Sequence, residues 1–299
     1  MQKGKRKLAA MIDALDTALV IEGGGMRNSY TAPCIVKLIQ EQVQFGWVGG
    51  VSAGASHTVN YLSQDAIRAE DSFVDFANNP SFGGVGSLMR GRGYFNAEYI
   101  YERSADKDLP FNWQAYKDNP AIMNLAATRA DTGESVYWSQ KDIEKPSDLF
   151  ARVRASSTLP LIMPMRVIDG VPYVDGALGE SGGITIAQAE LAGFKKFLFI
   201  GSKPRGYVRP KAARPMMIRR VFRKNPAVAD ALITRPPKYN ASKDRLLELE
   251  REGRAYLFFP EDMQVASTER SVAKLRANYA AGRAQTYAEW PGWKEFLEG

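Results

Sequence analysis

This sequence of 299 residues predicts a layered α/β domain, and three observations predict it. Apolar runs of strand length alternate with longer stretches of helical pattern. Two of those strand-like runs end in glycine-rich turns that open directly into helices. No internal repeat or low-complexity linker divides the chain, which is long enough to bury a sizeable core.

The elements follow in order. Thr17–Ile21 reads as a buried strand, followed by Glu22, three glycines and a helix through Ala32, Ile35, Val36, Leu38 and Ile39. Phe45–Val51 reads as the second strand, and the residues from Gly54 to Leu62 as its helix. Residues 78–93, rich in glycine with apolar Phe82, Val85, Leu88 and Met89, read as a long surface loop in preference to a mobile cover over a site. Ala121–Thr128 and Val136–Trp138 are strands flanking the turn Asp131-Thr132-Gly133. That triplet occurs in aspartic proteases, but a single copy between two strands is better read as a hairpin turn. A helix is expected over Asp148–Ser156, then a hairpin pivoting on Asp169-Gly170 that delivers Asp175. Ile184–Leu191 reads as helix and Lys195–Ile200 as strand. Beyond these, Met216–Ile233 reads as helix broken near Pro226, Asp244–Glu252 as a separate helix, and Ala255–Phe259 as a late strand before terminal helices. The expectation is one domain over residues 1–299, with its core at about 17–200 and a basic part at 201–299.

Composition bounds the chemistry. A single cysteine, Cys34, excludes an internal disulfide and a multi-cysteine metal site, and a single histidine, His57, argues against a histidine-rich one. Cys34 is expected in the core. The basic start, Met1–Lys7, leads into an apolar run that Asp13 and Asp16 cut short, so no signal peptide is expected. Nor does any stretch reach the ~20 apolar residues of a membrane span. A cytoplasmic protein, at most peripheral to a membrane, is the expectation. The formal charge of +7 is uneven: Lys203–Arg245 holds thirteen Lys/Arg against two acids. Such a stretch suits an anionic lipid surface or is simply a solvated face; no nucleic-acid module surrounds it.

The chain is organised around Gly50-Val51-Ser52-Ala53-Gly54, a G-x-S-x-G between a strand and a helix. Gly50 and Gly54 remove the β-carbons that would clash in so tight a reversal, and the turn lifts the Ser52 hydroxyl to the positive end of the helix. A serine hydroxyl needs a base before it can attack an ester. His57 is five residues on, ~500° around a helix and so roughly 140° away from Ser52. It is expected to serve packing, which leaves a carboxylate. Asp175, at a strand end and followed by Gly176 and Ala177, is the candidate base. Gly23, Gly24 and Gly25 offer unobstructed N–H groups for an oxyanion, with Met26 and Arg27 completing the loop. The same loop fits a nucleotide phosphate, although it lacks a Walker lysine and Asn28 stands where a G-x-G-x-x-G would end.

Together these motifs resemble the patatin-like phospholipase family: Glu22 to Arg27, then Gly50 to Ser56, then Ala155-Ser156-Ser157 with Leu159-Pro160, then Val174 to Ala177. The resemblance covers at least residues 17–200. It implies a three-layer α/β/α fold with a central, mostly parallel sheet, and a lipid acyl hydrolase without metal or cofactor. Ser52 would be the nucleophile, Asp175 the base, and the loop of Gly23, Gly24, Gly25, Met26 and Arg27 the oxyanion hole. Its substrate would be a fatty acyl ester of a phospholipid or lysophospholipid. Two departures stand out: Asn28 replaces the glycine usual after the arginine, and Glu180-Ser181-Gly182-Gly183 replaces the usual step to proline. The alternatives are a non-hydrolytic acyl- or membrane-binding protein on the same fold, and a nucleotide-binding protein.

Overall fold

In the computed structural model, which describes residues 11–106 and 108–299, eight strands form one sheet. The basic segment Met1–Lys7 lies outside the described residues. The strands are β1 (Ile12–Ile21), β2 (Val43–Val51), β3 (Ile122–Arg129), β4 (Ser135–Trp138), β5 (Arg166–Ile168), β6 (Val171–Asp175), β7 (Lys196–Ile200) and β8 (Ala255–Phe258). Five run parallel in the order β8-β7-β1-β2-β3. β4 and β6 pair antiparallel with β3, and β5 pairs antiparallel with β6, which returns it to the sense of the five. The helices are α1 (Ala32–Gln40), α2 (Ala53–Leu62), α3 (Ala66–Asp71), α4 (Val85–Met89), α5 (Trp113–Asp118), α6 (Pro146–Ser156), α7 (Ile186–Leu191), α8 (Pro215–Val221), α9 (Pro226–Arg251) and α10 (Val272–Glu298).

The two-residue period of a strand explains the layers. Leu19, Ile21, Leu198 and Ile200 point to one face, where they pack with residues of α1, α2, α6 and α10. Ala18, Val20, Phe197 and Phe199 point to the other, against Ile186 of α7 and Tyr239, Leu246 and Leu249 of α9. The result is three layers, helix on sheet on helix, as the family resemblance implies. Cys34 lies fully buried in the first face. Among the described residues no helix is long and apolar enough to cross a membrane.

Three local expectations need correction. The first strand begins at Ile12, five residues early, because its first part pairs with Val43–Phe45 across an irregularity between Ala14 and Ala18. Residues 78–93 are not a plain loop: they hold α4, and Gly83 bridges Phe95. The region expected as two separated helices over 216–252 breaks at Pro226, but beyond it one helix, α9, runs straight through Pro236 and Pro237. A proline inside a helix costs ~3 kcal/mol. Here the helix continues because Tyr239, Leu246 and Leu249 are buried against the sheet, and packing of a long apolar face outweighs local propensity.

The late strand and last helix are built into this core. β8 extends the parallel sheet beyond β7, and Trp293 of α10 is fully buried with its ring edge-on to Phe258, 5.6 Å between centroids. Trp293→Ala should cost about 3–5 kcal/mol, as removal of a large buried aromatic does. Urea unfolding followed by far-UV circular dichroism checks this. A loss under 1 kcal/mol would show that α10 is only loosely attached.

Candidate active site

Two strand ends meet on one edge of β3. Ala126 pairs with both Val51 and Tyr137, so β2 and β4 lie on opposite edges of β3. Ala127 pairs with both Val136 and Asp175, so β6 lies on the edge opposite β4, in line with β2. Val51 at the end of β2 and Asp175 at the end of β6 are therefore opposed to adjacent residues of one strand. The end of α6 and the residues after it brace both ends: Ser52 N–H donates to Ser156 Oγ at 2.9 Å, and Asp175 N–H donates to Thr158 O at 2.8 Å.

Ser52 adopts φ 58° and ψ −124°, a left-handed conformation that side chains other than glycine rarely adopt. The turn tolerates it only because its neighbours lack side chains. A β-carbon on Gly50 would strike the carbonyl of Gly54, and one on Gly54 would strike that of Ile21. Ser52 thus stands at the N-terminus of α2 with its side chain turned towards the ends of the strands. The hydroxyl interacts with the Asp175 carboxylate, helping to hold its pKa down. The contact is looser than a formed hydrogen bond.

Asp175 is buried, and that burial raises its carboxyl above the ordinary 3.8. Arg235, the Ala177 N–H, Ser52 and Arg209 oppose the rise, in that order. Gly176 and Ala177 begin a 3-10 turn, and the Ala177 N–H donates to Asp175 Oδ1 at 2.9 Å. Such a carboxylate is desolvated but still counterbalanced, which makes it a better base than a free aspartate.

The glycine loop lies against this pair. A β-carbon on Gly23 would come within 2.7 Å of Val51 O and 3.0 Å of Ser52 Cβ. A 3-10 turn, Gly25–Ser29, follows. Met26 N–H donates to Ser267 O at 3.0 Å, which removes it from the donors open to a ligand. Met26 instead contributes its side chain to a cavity, and Arg27 is drawn towards Glu22. Asn28, the first departure from the expected pattern, is buried and donates to Glu22 O at 3.1 Å, closing the loop from behind. At the second departure, Gly182 O accepts from Arg235 Nε at 3.1 Å, which brings that guanidinium to the site.

The cover, which the sequence offered only as the second reading of residues 78–93, draws on a wider set of segments. Phe76, Phe82, Phe95, Leu109 and Met163 form a separate apolar cluster. With Ile100, Tyr101 and Phe150 they line a cavity of about 80 Å³ that reaches Ser52 and Ser56. Tyr101 comes from a π-helical turn, Glu98–Arg103, and interacts with Ser157, Asp175 and Ser56. Glu102 of the same turn is held by Arg154 at 3.1 Å and Arg166 at 3.0 Å. Irregular segments this far from the motifs left no periodic signal.

His57 points away from Ser52. Its Nε2 lies 3.2 Å from Asn28 O and 3.1 Å from Thr31 Oγ1, and its ring packs on Phe73. Burial pushes its pKa down from 6.5 to about 3, against the hydrogen bond to Asn28. The Asp131-Thr132-Gly133 triplet is a hairpin turn, with Gly133 N–H donating to Arg129 O at 2.9 Å.

A family model described as patatin-like phospholipase matches residues 19–187, and one described as a domain of unknown function (DUF6363) matches residues 225–298. Uncharacterized protein YjjU of Escherichia coli (strain K12) is 26% identical over 198 residues, covering 62% of this chain and 52% of that protein. The chain thus spans about half the length of this curated relative. Among solved structures, VipD from Legionella pneumophila superposes with a TM-score of 0.47 at 13% identity, over 100% of this chain and 72% of that chain.

One prediction concerns the histidine. The unfolded chain binds a proton on His57 below pH 6.5 while the folded chain does not until about 3, so stability falls as pH drops through that window. In the untagged protein, the single histidine ring resonance should not titrate between pH 5 and 8 by proton NMR. Titration near 6.5 would contradict the buried placement.

Proposed function

The chain belongs to the patatin-like phospholipase family, and on that premise we propose that it is a serine lipid acyl hydrolase acting through Ser52 and Asp175. Its substrates are fatty acyl esters of phospholipids or lysophospholipids. The observation that carries this reading is the forced left-handed turn at Ser52, set against a buried carboxylate and three glycines beside an apolar cavity.

The steps follow from the arrangement. Ser52 Oγ attacks the acyl carbonyl while Asp175 accepts its proton. The N–H groups of Gly23, Gly24 and Gly25 receive the developing oxyanion. Asp175 then returns the proton to the leaving alcohol; water, deprotonated by the same carboxylate, attacks the acyl carbonyl, and Asp175 passes that proton to Ser52 Oγ as the bond to the acyl group breaks. His57 takes no part. The phosphate-cradle alternative is less well supported, because Gly23 backs directly onto Ser52.

The acyl chain would enter the apolar cavity. At about 80 Å³ that cavity falls well below the ~300–1,000 Å³ of drug-sized ligand sites, so a long chain requires the cover to move. Peripheral binding to an anionic membrane through Lys203–Arg245 is part of the proposal. Met216, Met217 and Val221 of α8 are exposed beside Arg219 and Arg220, the mixture an interfacial helix needs. Some cations of the stretch are already engaged: Arg205 pairs with Glu250, and Arg245 with Glu190 at 2.7 Å.

Two measurements test the reading. A fluorophosphonate probe should label the protein, and Ser52→Ala should abolish labelling; retained labelling would remove Ser52 from the role. The kcat/KM profile needs ionised Asp175, so activity should be lost as pH falls through its raised pKa, giving an acid limb above 3.8. Arg235→Met removes a facing cation and should move that limb higher still. A limb that stays put or moves down would contradict the assignment of Asp175 as base.

A further inference from the structure

The polar flank of the site holds more positive charge than the proposed reaction uses. Arg27, Lys203, Arg209 and Arg235 come together there around Glu22 and Asp175. Ser202 fixes one side: its N–H donates to the Glu22 carboxylate at 2.6 Å and its hydroxyl to Gly23 O at 2.9 Å, which sets Lys203 beside the glycine loop. Lys203 Nζ lies 4.6 Å from the Tyr207 ring centroid, and the Arg209 guanidinium stacks 4.7 Å over Tyr239. These two rings meet nearly perpendicular at 5.9 Å. Arg235 is anchored to Gly182 O, and its Nη2 lies 3.6 Å from where a β-carbon on Gly183 would stand, beside Ala177.

None of the four has a carboxylate within 4.0 Å among the described residues, whereas nearby Arg205, Arg219 and Arg245 all do. The Nε atoms of Arg27 and Arg209 are buried with no acceptor. Evolved interiors seldom leave charged donors unmatched. Lys203 is pulled down to about 8, by burial first and then by Arg27, so the cluster repels itself as it stands. The four cations outnumber the two carboxylates, and three are planar forks suited to a tetrahedral oxyanion. None lines the apolar cavity.

We propose that Arg27, Lys203, Arg209 and Arg235 form a binding site for a phosphate group beside Ser52. The placement rests on the hydrolase reading: with the acyl chain in the apolar cavity, the alcohol part of the ester lies towards these cations, and its phosphate is the ligand. Lys203 and Arg209 fall between the two family matches and Arg235 within the second, so this site joins the C-terminal part of the chain to the reaction. A free phosphate shares the same chemistry, and the test separates the two sources.

Inorganic phosphate is titrated calorimetrically into the full chain and into Lys203→Met and Arg209→Met, each checked for native circular dichroism and melting temperature. In parallel, kcat/KM is measured on a 1-acylglycerol 3-phosphate and on the neutral monoacylglycerol of the same chain. The wild type should bind phosphate, and each substitution should weaken binding about tenfold or more, the loss of one charge-assisted contact. The ratio of the two kcat/KM values should fall by a similar factor, which identifies the substrate's phosphate as the ligand. Weakened phosphate binding with an unchanged ratio would support the site and assign it to a free phosphate. No phosphate binding by the wild type, or binding and ratio both unchanged in folded variants, would overturn the proposal. Absence of turnover on either ester would overturn the hydrolase reading instead, and the phosphate titration alone would then decide the site.

Discussion

Both candidate reacting groups stand where β2 and β6, running in opposite senses, end on the same edge of β3. This register is the constraint on which the rest depends. Slipping either strand by one residue would turn its side chains to the other face and separate the hydroxyl from the carboxylate. The end of α6 and the turn beyond it reinforce the register, since Ser156 and Thr158 each hold one of the two strand ends. A left-handed serine costs ~1–3 kcal/mol, and such a turn persists only where the surroundings over-determine it. Here the parallel core strands and the backbone contacts of Gly50 and Gly54 do so.

The site has two unlike sides. The apolar side is the cavity under the cover, which reaches Ser52, while burial raises the Asp175 carboxyl beside it. The basic side, contributed largely by residues 203–235, opposes that rise through Arg235 and Arg209. The Asp175 carboxyl is thus pulled two ways, upward by its burial and downward by the facing guanidinium groups. The only histidine is spent on packing between Asn28, Thr31 and Phe73.

Much of this arrangement was legible in the sequence, because strand-turn-helix units carry local signals. Apolar runs, glycine turns and the hairpin at Asp169-Gly170 located the strands, and the rotation along a helix was enough to discount His57. The meeting of Ser52 with Asp175 was only implied by the motifs, since register between strands so distant in sequence leaves no mark on either one. The cover was legible only as an alternative for residues 78–93; Tyr101 and Phe95 lie in irregular segments whose packing is tertiary. The gap expected between Ile233 and Asp244 is instead continuous helix through Pro236 and Pro237, sustained by burial of Tyr239 and Leu246. The asymmetry of charge was visible, but its division was not. Some cations pair with acids on the surface, while Arg209 and Arg235 turn inward to the site.

The most direct test of the central claim is a crystal structure of the protein inactivated by an alkyl fluorophosphonate. Phosphorus should be bonded to Ser52 Oγ, with its oxygen about 2.7–3.1 Å from N–H groups of the Gly23–Gly25 loop, Asp175 facing the ester oxygen and the alkyl chain in the apolar cavity. A phosphoryl oxygen turned away from that loop, or an adduct on any other residue, would contradict the account.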